Sequence, residues 1–331
     1  MKKKLSLILA LLLVLSLALS ACNNASESVD YVLASEIGDD VKAEADAVLS
    51  GFMQAFEENN PAAALPLFSS EFEANEEDLA AFFEEVQKLV DAPFVPYDSY
   101  YMKGLTVEEA LLKVKKSADA TEYIEIAPAA EELYCAMYVS DSKNISRMMT
   151  ILLARENGEF KITWVAPTDF KYDGVAAPEV YNRTKTLSDE GKLFSAYISS
   201  CKLGKIMRPG SFFRYSNDLE MEDLCNSLVD KISTSYPLPL ALAETTESSV
   251  YEISLANDAE LGLIPLIFYK TDATITNESA LRAESEKVLA ALEKIFPDIR
   301  ESSEVIRFEA TNDVIDENTT SINKKSINLK V

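Results

Sequence analysis

Apolar residues in the first third of the chain recur at intervals of three and four, the spacing that places them on one face of a helix. Residues 41–56 follow this pattern and predict an amphipathic helix. Asn60 before Pro61 is typical of a helix start, with Asn as the N-cap and Pro in the first turn. Asn75 with Asp78 has the spacing of a capping box at the start of another helix. Three helices are therefore expected to come first in the fold.

After Pro96 the spacing changes to the alternation of apolar and polar residues that strands show. Asn157-Gly158 lies between two runs rich in β-forming residues and predicts a two-residue hairpin turn with positive φ at both positions. A short helix is predicted over 107–116. The predicted strands are 97–102, 121–126, 132–139, 145–154 and 159–165.

Trp164 is the only tryptophan and lies in the last of these strands. Simple alternation places it on the same face as Phe160 and Ile162. That face is expected to be core. The indole ring is therefore predicted to pack against Phe52 and Phe56 of the first helix.

A second set of elements follows residues 172–177, a short run of small residues that is predicted to be a linker. Gly191 separates two helical patterns and predicts a helical hairpin. The fold class is predicted to be α+β, with domains over 36–171 and 178–310 that each fold alone, and a polar tail over 311–331 in which 327–331 is a candidate edge strand. The elements predicted in the second half are helices over 180–187, 193–203, 219–232 and 278–295 and strands over 251–255, 263–269 and 305–308.

The N-terminus has the pattern of an export signal. Three lysines at 2–4 precede an apolar run over 5–19, which is shorter than the ~20 residues that a membrane-spanning helix needs, so residues 1–21 are predicted to be a signal peptide. The sequence Leu19-Ser20-Ala21-Cys22 resembles the lipobox of bacterial lipoproteins. The resemblance implies that Cys22 carries a diacylglyceryl group and anchors the protein to the extracytoplasmic face of the cell membrane, with 22–35 as a tether. Two acyl chains suffice for stable anchoring, whereas one is marginal.

Two alternatives remain open for this N-terminus. Ala18 and Ser20 also suit an ordinary secretory cleavage site, which would leave Cys22 an incidental thiol. An uncleaved membrane anchor is the other alternative, which the short apolar run disfavours.

Helices followed by an antiparallel sheet that ends in a long hairpin resemble the NTF2-like cone fold. The resemblance covers 36–171 and rests on the order of elements and on the hairpin sequence over 153–162. It implies a cone whose interior holds a polar pocket in isomerases and dehydratases of the family, while other members are catalytically silent binding or assembly domains. A fold does not by itself choose between these functions. The second half resembles no family.

Composition excludes several classes of function. Lys and Arg number 31 against 55 Asp and Glu, a net charge of -24, which argues against nucleic acid as a ligand. The chain has no histidine, so the common Ser-His-Asp, Cys-His and histidine-metal sites are excluded. No phosphate-binding glycine motif or calcium loop is present, and neither a cofactor nor a metal is predicted. Cys135, Cys201 and Cys225 are expected to be buried thiols, with a Cys201–Cys225 bridge as the alternative.

The residues best suited to chemistry in the cone are four tyrosines and an aspartate. A phenol beside a carboxylic acid in an apolar pocket can polarise a carbonyl group. Tyrosines on strands are more commonly half-buried sheet residues, so the same group also fits a non-catalytic pocket or plain packing. The candidate pocket residues are Tyr97, Asp98, Tyr100, Tyr101 and Tyr123.

Two further patterns have simpler explanations. Acidic residues crowd the range 71–85, where a solvated helix start explains them. Ser-x-x-Lys is the spacing of the serine and lysine in penicillin-binding proteins, but their SDN motif is missing here. The three copies of that spacing are Ser140/Lys143, Ser199/Lys202 and Ser321/Lys324.

These observations predict a lipid-anchored, extracytoplasmic, non-enzymatic protein that binds or assembles with a protein or small-molecule partner. The alternative is an enzyme or solute-binding protein that uses the pocket of the cone. An interior filled by packed Phe, Leu and Met would favour the first, and an open pocket with Tyr or Asp would favour the second.

Overall fold

The computed structural model describes residues 31–33, 37–73, 75–105, 111–115, 120–242, 248–313 and 322–331. They form a mixed α+β fold with seven α-helices and three sheets in these ranges. None of the helices described there is both long enough and apolar enough to cross a membrane.

The helices occupy both halves of the chain, and two short 3-10 turns, Leu65–Leu67 and Ile299–Glu301, accompany them. The helix over 278–295 has the bounds predicted for it. The helices are α1 (Asp39–Glu57), α2 (Pro61–Ala64), α3 (Glu76–Leu89), α4 (Ala177–Asp189), α5 (Leu193–Ile206), α6 (Asp218–Ser235) and α7 (Glu278–Ile295).

The strands follow the predicted order with a few additions. They are β1 (Tyr31–Leu33), β2 (Val95–Lys103), β3 (Leu112–Lys115), β4 (Glu122–Ile126), β5 (Glu132–Ser140), β6 (Ile145–Glu156), β7 (Glu159–Tyr172), β8 (Val175–Ala176), β9 (Phe213–Tyr215), β10 (Leu240–Ala241), β11 (Ser249–Asp258), β12 (Gly262–Lys270), β13 (Val305–Thr311) and β14 (Lys325–Lys330).

The predicted helix starts are confirmed. The Asn60 side chain accepts a hydrogen bond from the backbone N–H of Ala63 at the start of α2. At the start of α3, Asn75 accepts from the backbone N–H of Asp78, and Asp78 accepts from the backbone N–H of Asn75. Both halves of a capping box are therefore present. The acidic side chains of the first turn of α3 are exposed, as expected for a solvated helix start.

The largest sheet is a strongly curled antiparallel half-barrel with the order β1-β2-β5-β6-β7-β8. Its longest strands, β6 and β7, are joined by Asn157 and Gly158, whose φ angles are 52° and 89°. This confirms the predicted hairpin turn, since a two-residue turn of this type needs positive φ at both positions.

A three-stranded sheet of order β3-β4-β9 packs against the half-barrel. A helix was predicted over 107–116. That prediction is wrong where the structure describes these residues, because Leu112–Lys115 forms β3 and pairs antiparallel with β4. Leu112 and Val114 are buried and Lys113 is exposed, which is the period of a strand. The range 106–110 lies outside the described residues.

The third sheet belongs to the second half of the chain and has the order β10-β11-β12-β13-β14. Strands β12 and β13 are parallel, with α7 as the connection between them, and the other pairs are antiparallel. Helices α5 and α7 cover one face of this sheet. The predicted edge strand over 327–331 is confirmed in β14, which pairs with β13 at the edge.

Two cores lie on opposite faces of the half-barrel. One is formed with α1, α2 and α3, and aromatic rings dominate it. The other is formed with β3, β4 and β9 and with residues of α4, α5 and α6. Because the second core draws on both halves of the chain, the halves share packing that the predicted domains, 36–171 and 178–310, would have kept apart.

The predicted linker at 172–177 consists mainly of regular structure. Tyr172 ends β7, Val175–Ala176 forms β8 and pairs back onto β7, and Ala177 begins α4. The turn between β7 and β8 uses Asp173 and Gly174, both with positive φ. Of the residues that suggested a linker, Gly174 is the one whose small size suits a turn with positive φ.

The prediction for Trp164 is wrong because β7 carries a bulge. Leu152 pairs with Trp164 but Leu153 pairs with Ile162, which leaves Thr163 as an extra residue. The bulge turns Trp164 to the face opposite Ile162, where its ring lies 6.3 Å from that of Phe212.

Candidate functional site

The five candidate pocket residues do not converge. The register of β2 against β5 shifts between Pro96 and Asp98, so Tyr97 is an extra residue there. Asp98 and Tyr100 then share one face of β2, and Tyr101 lies on the other. Tyr123 lies on β4, in a different sheet.

Three of the candidates join Glu122 and Tyr215 in a partly buried group, which we call the tyrosine–carboxylate cluster: Tyr97, Asp98, Tyr100, Glu122 and Tyr215. The Tyr97 hydroxyl donates to Oε2 of Glu122 at 3.2 Å. Burial and the charge of Asp98 raise the pKa of Tyr100, and burial and the charge of Glu122 raise the pKa of Tyr215. The phenols therefore stay protonated at neutral pH.

The position of this cluster favours packing over catalysis. Tyr100 and Tyr215 are 0% and 1% exposed. The Tyr97 ring packs on Phe170 and Phe213, with centroids 5.3 and 6.5 Å away. A substrate would have to displace these side chains to reach the two buried hydroxyls.

Tyr101 belongs to an ion-pair network on the other face. Its hydroxyl donates to Oε1 of Glu132 at 2.6 Å, and Arg155 Nε donates to Oε2 of the same carboxylate at 2.8 Å. The Arg155 guanidinium also binds both carboxylate oxygens of Glu44 on α1. Burial alone would raise the pKa of Glu132, but the hydrogen bonds from Arg155 and Tyr101 outweigh it and lower that pKa. Each charged group in this network is paired with one of opposite charge, which indicates a structural role.

Tyr123 is also committed to packing. The ammonium groups of Lys113 and Lys115 lie 5.5 and 5.4 Å from the centre of its ring. Burial and the charges of Asp218 and Glu125 raise the pKa of Tyr123 to about 12.

Aromatic rings fill the space between the half-barrel and α1–α3, where the pocket of the cone was expected. The centroid of Phe52 lies 5.9 Å from that of Phe68 and 5.8 Å from that of Phe83, both edge-to-face. Phe56 packs on Phe83 at 5.3 Å in the same way. Met149 and Ile151 of β6 complete this packing and are fully buried.

A cavity of about 260 Å³ opens elsewhere, between α4, α5 and the turn Ile299–Glu301. We call it the α4–α5 cleft. No pattern in the sequence predicted a cavity here, and only the Ser199/Lys202 spacing falls on its lining. Its lining residues are Tyr172, Asp173, Val175, Glu179, Val180, Arg183, Leu187, Ser195, Ile198, Ser199, Lys202, Glu301 and Ser302.

The positive charges of the cleft are weakly compensated. Lys202 Nζ lies 3.9 Å from Asp173 Oδ2, which is longer than a hydrogen bond, and its side chain is 25% exposed. Burial lowers the pKa of Lys202, the Asp173 charge opposes this, and the positive charge of Arg183 lowers it further. Within the described ranges Arg183 makes no ion pair. By contrast, Glu301 at the rim pairs with Lys192 at 3.1 Å.

Ser199, which precedes Lys202 in the Ser-x-x-Lys spacing, is not oriented as a nucleophile. Thr184 Oγ1 donates its one hydrogen to the carbonyl of Val180 at 2.7 Å. The 2.7 Å contact between Thr184 and Ser199 must then use the hydrogen of Ser199. A lysine base would need that hydrogen directed toward it.

In the described residues, neither the other two Ser-x-x-Lys spacings nor the three cysteines provide an alternative catalytic site. Ser140 donates to the carbonyl of Ala92, and Ser321 lies outside the described residues. Cys135 is a buried free thiol, as expected, and burial raises its pKa to about 12. Cys201 and Cys225 are free and only partly buried. In the described part of the chain no group of three or more acidic or cysteine side chains is placed to hold a metal ion.

Comparison with protein-family profiles, with curated proteins and with solved structures gives no match to this chain. The one sequence signal that pointed to the cleft was the spacing of Ser199 and Lys202, which places both side chains on one face of α5.

Proposed function

We propose that the chain is a non-enzymatic binding protein, held at the extracytoplasmic face of the bacterial cell membrane by a diacylglyceryl group on Cys22, and that the α4–α5 cleft is its ligand site. The lipobox-like Leu19-Ser20-Ala21-Cys22 supports the anchor. The order of elements supports an NTF2-like fold for 36–171, since three helices precede a curled antiparallel sheet.

One observation carries the choice of site: the cleft is open and polar, whereas the space between the half-barrel and α1–α3 is filled. A ligand site combines a concave surface with a few polar groups that fix orientation. The cleft offers both, with apolar Val175, Leu187 and Ile198 beside Arg183 and Lys202. A pocket in the cone, the basis of the enzymatic alternative, finds no comparable support because Phe52, Phe83 and their neighbours pack there.

A blocked cleft tests this function. In Leu187→Trp a large ring replaces a half-buried cleft residue, and in the control Leu219→Trp the ring replaces a helical leucine that is 67% exposed. Compounds of anionic, neutral and cationic classes are screened by thermal shift and calorimetry. We expect any binder of the native chain to lose affinity for Leu187→Trp and to keep it for Leu219→Trp. A compound whose affinity is unchanged by both substitutions would show that the ligand site lies elsewhere.

A further inference from the structure

We propose that the ligand of the α4–α5 cleft is a small molecule that carries one anionic oxygen group, a carboxylate or a phosphate, held by Lys202 and Arg183. This inference rests on the proposed function of the cleft and names the class of its ligand.

The charged side chains of the cleft differ in how far water reaches them. The side chain of Lys202 is 25% exposed. Its ion-pair neighbour Asp173 is 58% exposed, and Glu301 at the rim is 60% exposed. Water screens exposed charges more strongly than partly buried ones. The least screened charge in the cleft is therefore that of Lys202, although the protein as a whole has a net charge of -24.

Two cations line the same cleft, where the charge of Asp173 opposes their mutual repulsion. Arg183 on α4 and Lys202 on α5 lie close enough for the arginine to disfavour the charged form of the lysine. An anion between them would bind both groups and remove this cost. Asp173 Oδ2 lies 3.9 Å from Lys202 Nζ, beyond hydrogen-bond distance, so an anionic ligand would supply a closer acceptor for the lysine.

The surroundings of the cleft limit its ligand to a single anionic group. Asp173, Glu179 and Glu301 surround the mouth of the cleft and would repel a polyanion. The cavity of about 260 Å³ also admits only a small molecule or the end of a larger one. A carboxylate or a monosubstituted phosphate directed at Lys202 satisfies both limits.

The experiment uses the full mature chain with ¹³C-labelled lysine, and the Lys202 signal is assigned from its loss in Lys202→Met. The probes are acetate, inorganic phosphate, glucose and methylammonium. We expect acetate or phosphate to shift the Lys202 signal saturably and to raise the pKa of Lys202, because the anion stabilises the ammonium form. Whichever of the two anions binds more tightly identifies the source of the anionic group.

Three variants give the inference its controls. Lys202→Met and Arg183→Met should each weaken anion binding about tenfold, the loss of one charge-assisted hydrogen bond. Lys205→Met removes the same charge from an exposed site on α5 and should leave binding unchanged. Equal binding by Lys202→Met and the native chain would overturn the inference.

The outcomes also separate this inference from the proposed function. A second outcome is that glucose or methylammonium binds at the cleft, detected as shifts that Leu187→Trp abolishes, while both anions fail. That result would overturn the anionic ligand and keep the cleft as a ligand site. Failure of all four probes to perturb the cleft would overturn the inference and remove the main support of the proposed function.

Discussion

Gly210 lies where the segment after α5 touches the half-barrel, and its backbone has a φ of 87°. A Cβ at this position would lie 2.7 Å from Oγ1 of Thr150, a residue of β6 that is fully buried. Positive φ disfavours any other residue, and a contact this short with a fixed side chain adds overlap. Glycine alone satisfies both conditions.

Replacement of this glycine should therefore destabilise the protein. We expect Gly210→Ala to lower the free energy of unfolding by about 2–3 kcal/mol, measured by urea denaturation, because backbone strain and overlap add. Gly204→Ala is the control, since Gly204 lies in α5 with ordinary φ and an added Cβ there meets no atom within 4 Å. That variant should gain up to about 1 kcal/mol from helix propensity. Equal effects of the two substitutions would contradict the role of Thr150.

Arg155 ties the hairpin of β6 and β7 to α1 and β5 through Glu44 and Glu132. We expect Arg155→Met to cost about 2 kcal/mol of unfolding free energy at pH 7, since it leaves Glu132 without its main charged partner. The control is Arg300→Met, which breaks an exposed pair with Glu293 at 3.1 Å and should cost less than about 1 kcal/mol.

The cost of Arg155→Met should depend on pH with a defined sign. The folded pKa of Glu132 is below its ordinary value of 4.5, so its contribution to stability is present above that value and is lost as the pH falls through the folded pKa. The difference between native chain and variant, measured by urea denaturation from pH 7 to pH 3, should shrink below about pH 4.5. A constant difference over that range would show that Glu132 is not the group involved.

Single-residue geometry was predictable from sequence where it depended on neighbours in the chain. Asn157-Gly158 and the capping box of Asn75 and Asp78 are local motifs, and both are confirmed. The bulge at Thr163 depends on how β7 pairs with β6, so alternation along β7 alone assigned Trp164 to the wrong face.

Helices and strands were likewise predictable where local sequence determines them, and not where contacts with distant segments do. Helix α7 has an uninterrupted amphipathic pattern, and its bounds were predicted correctly. Strand β3 is only four residues long, and its identity depends on pairing with β4. The α4–α5 cleft depends on the turn Ile299–Glu301, which is distant in sequence from both helices. Such long-range packing leaves no periodic signal in the sequence.

The pairing of β9 with β4 leads us to expect that the first half does not fold alone. A chain over 31–174 lacks β9 and also the α5 residues Leu203 and Ile206, which pack in the shared core. It should melt without a sigmoidal transition in circular dichroism, because β4 keeps an unpaired edge and apolar residues are exposed.

A longer truncated chain is the control. Residues 31–217 restore α4, α5 and β9 and should regain a cooperative transition. A cooperative melt of the chain over 31–174 at the temperature of the full protein would instead support two independent domains.

At the scale of the whole molecule, fractionation of cells tests the proposed lipid anchor on Cys22. We expect the native protein to sediment with membranes and to be extracted by detergent, and Cys22→Ser to accumulate as an unprocessed precursor without lipid. Ser20→Ala keeps a small residue in the lipobox and should behave like the native chain. A correctly cleaved, soluble native protein that Cys22→Ser does not change would favour ordinary secretion.

The β4–β9 pairing also sets an order of events during synthesis. Glu122–Ile126 leaves the ribosome well before Phe213–Tyr215, so β4 waits for its second neighbour while α4 and α5 are still being made. Contacts between distant segments form slowly, and an unpaired strand edge is open to association with other chains meanwhile. A chain exported with its N-terminus first would complete the core beside β4 only after β9 had crossed, so that the time needed for export becomes part of the time needed for folding.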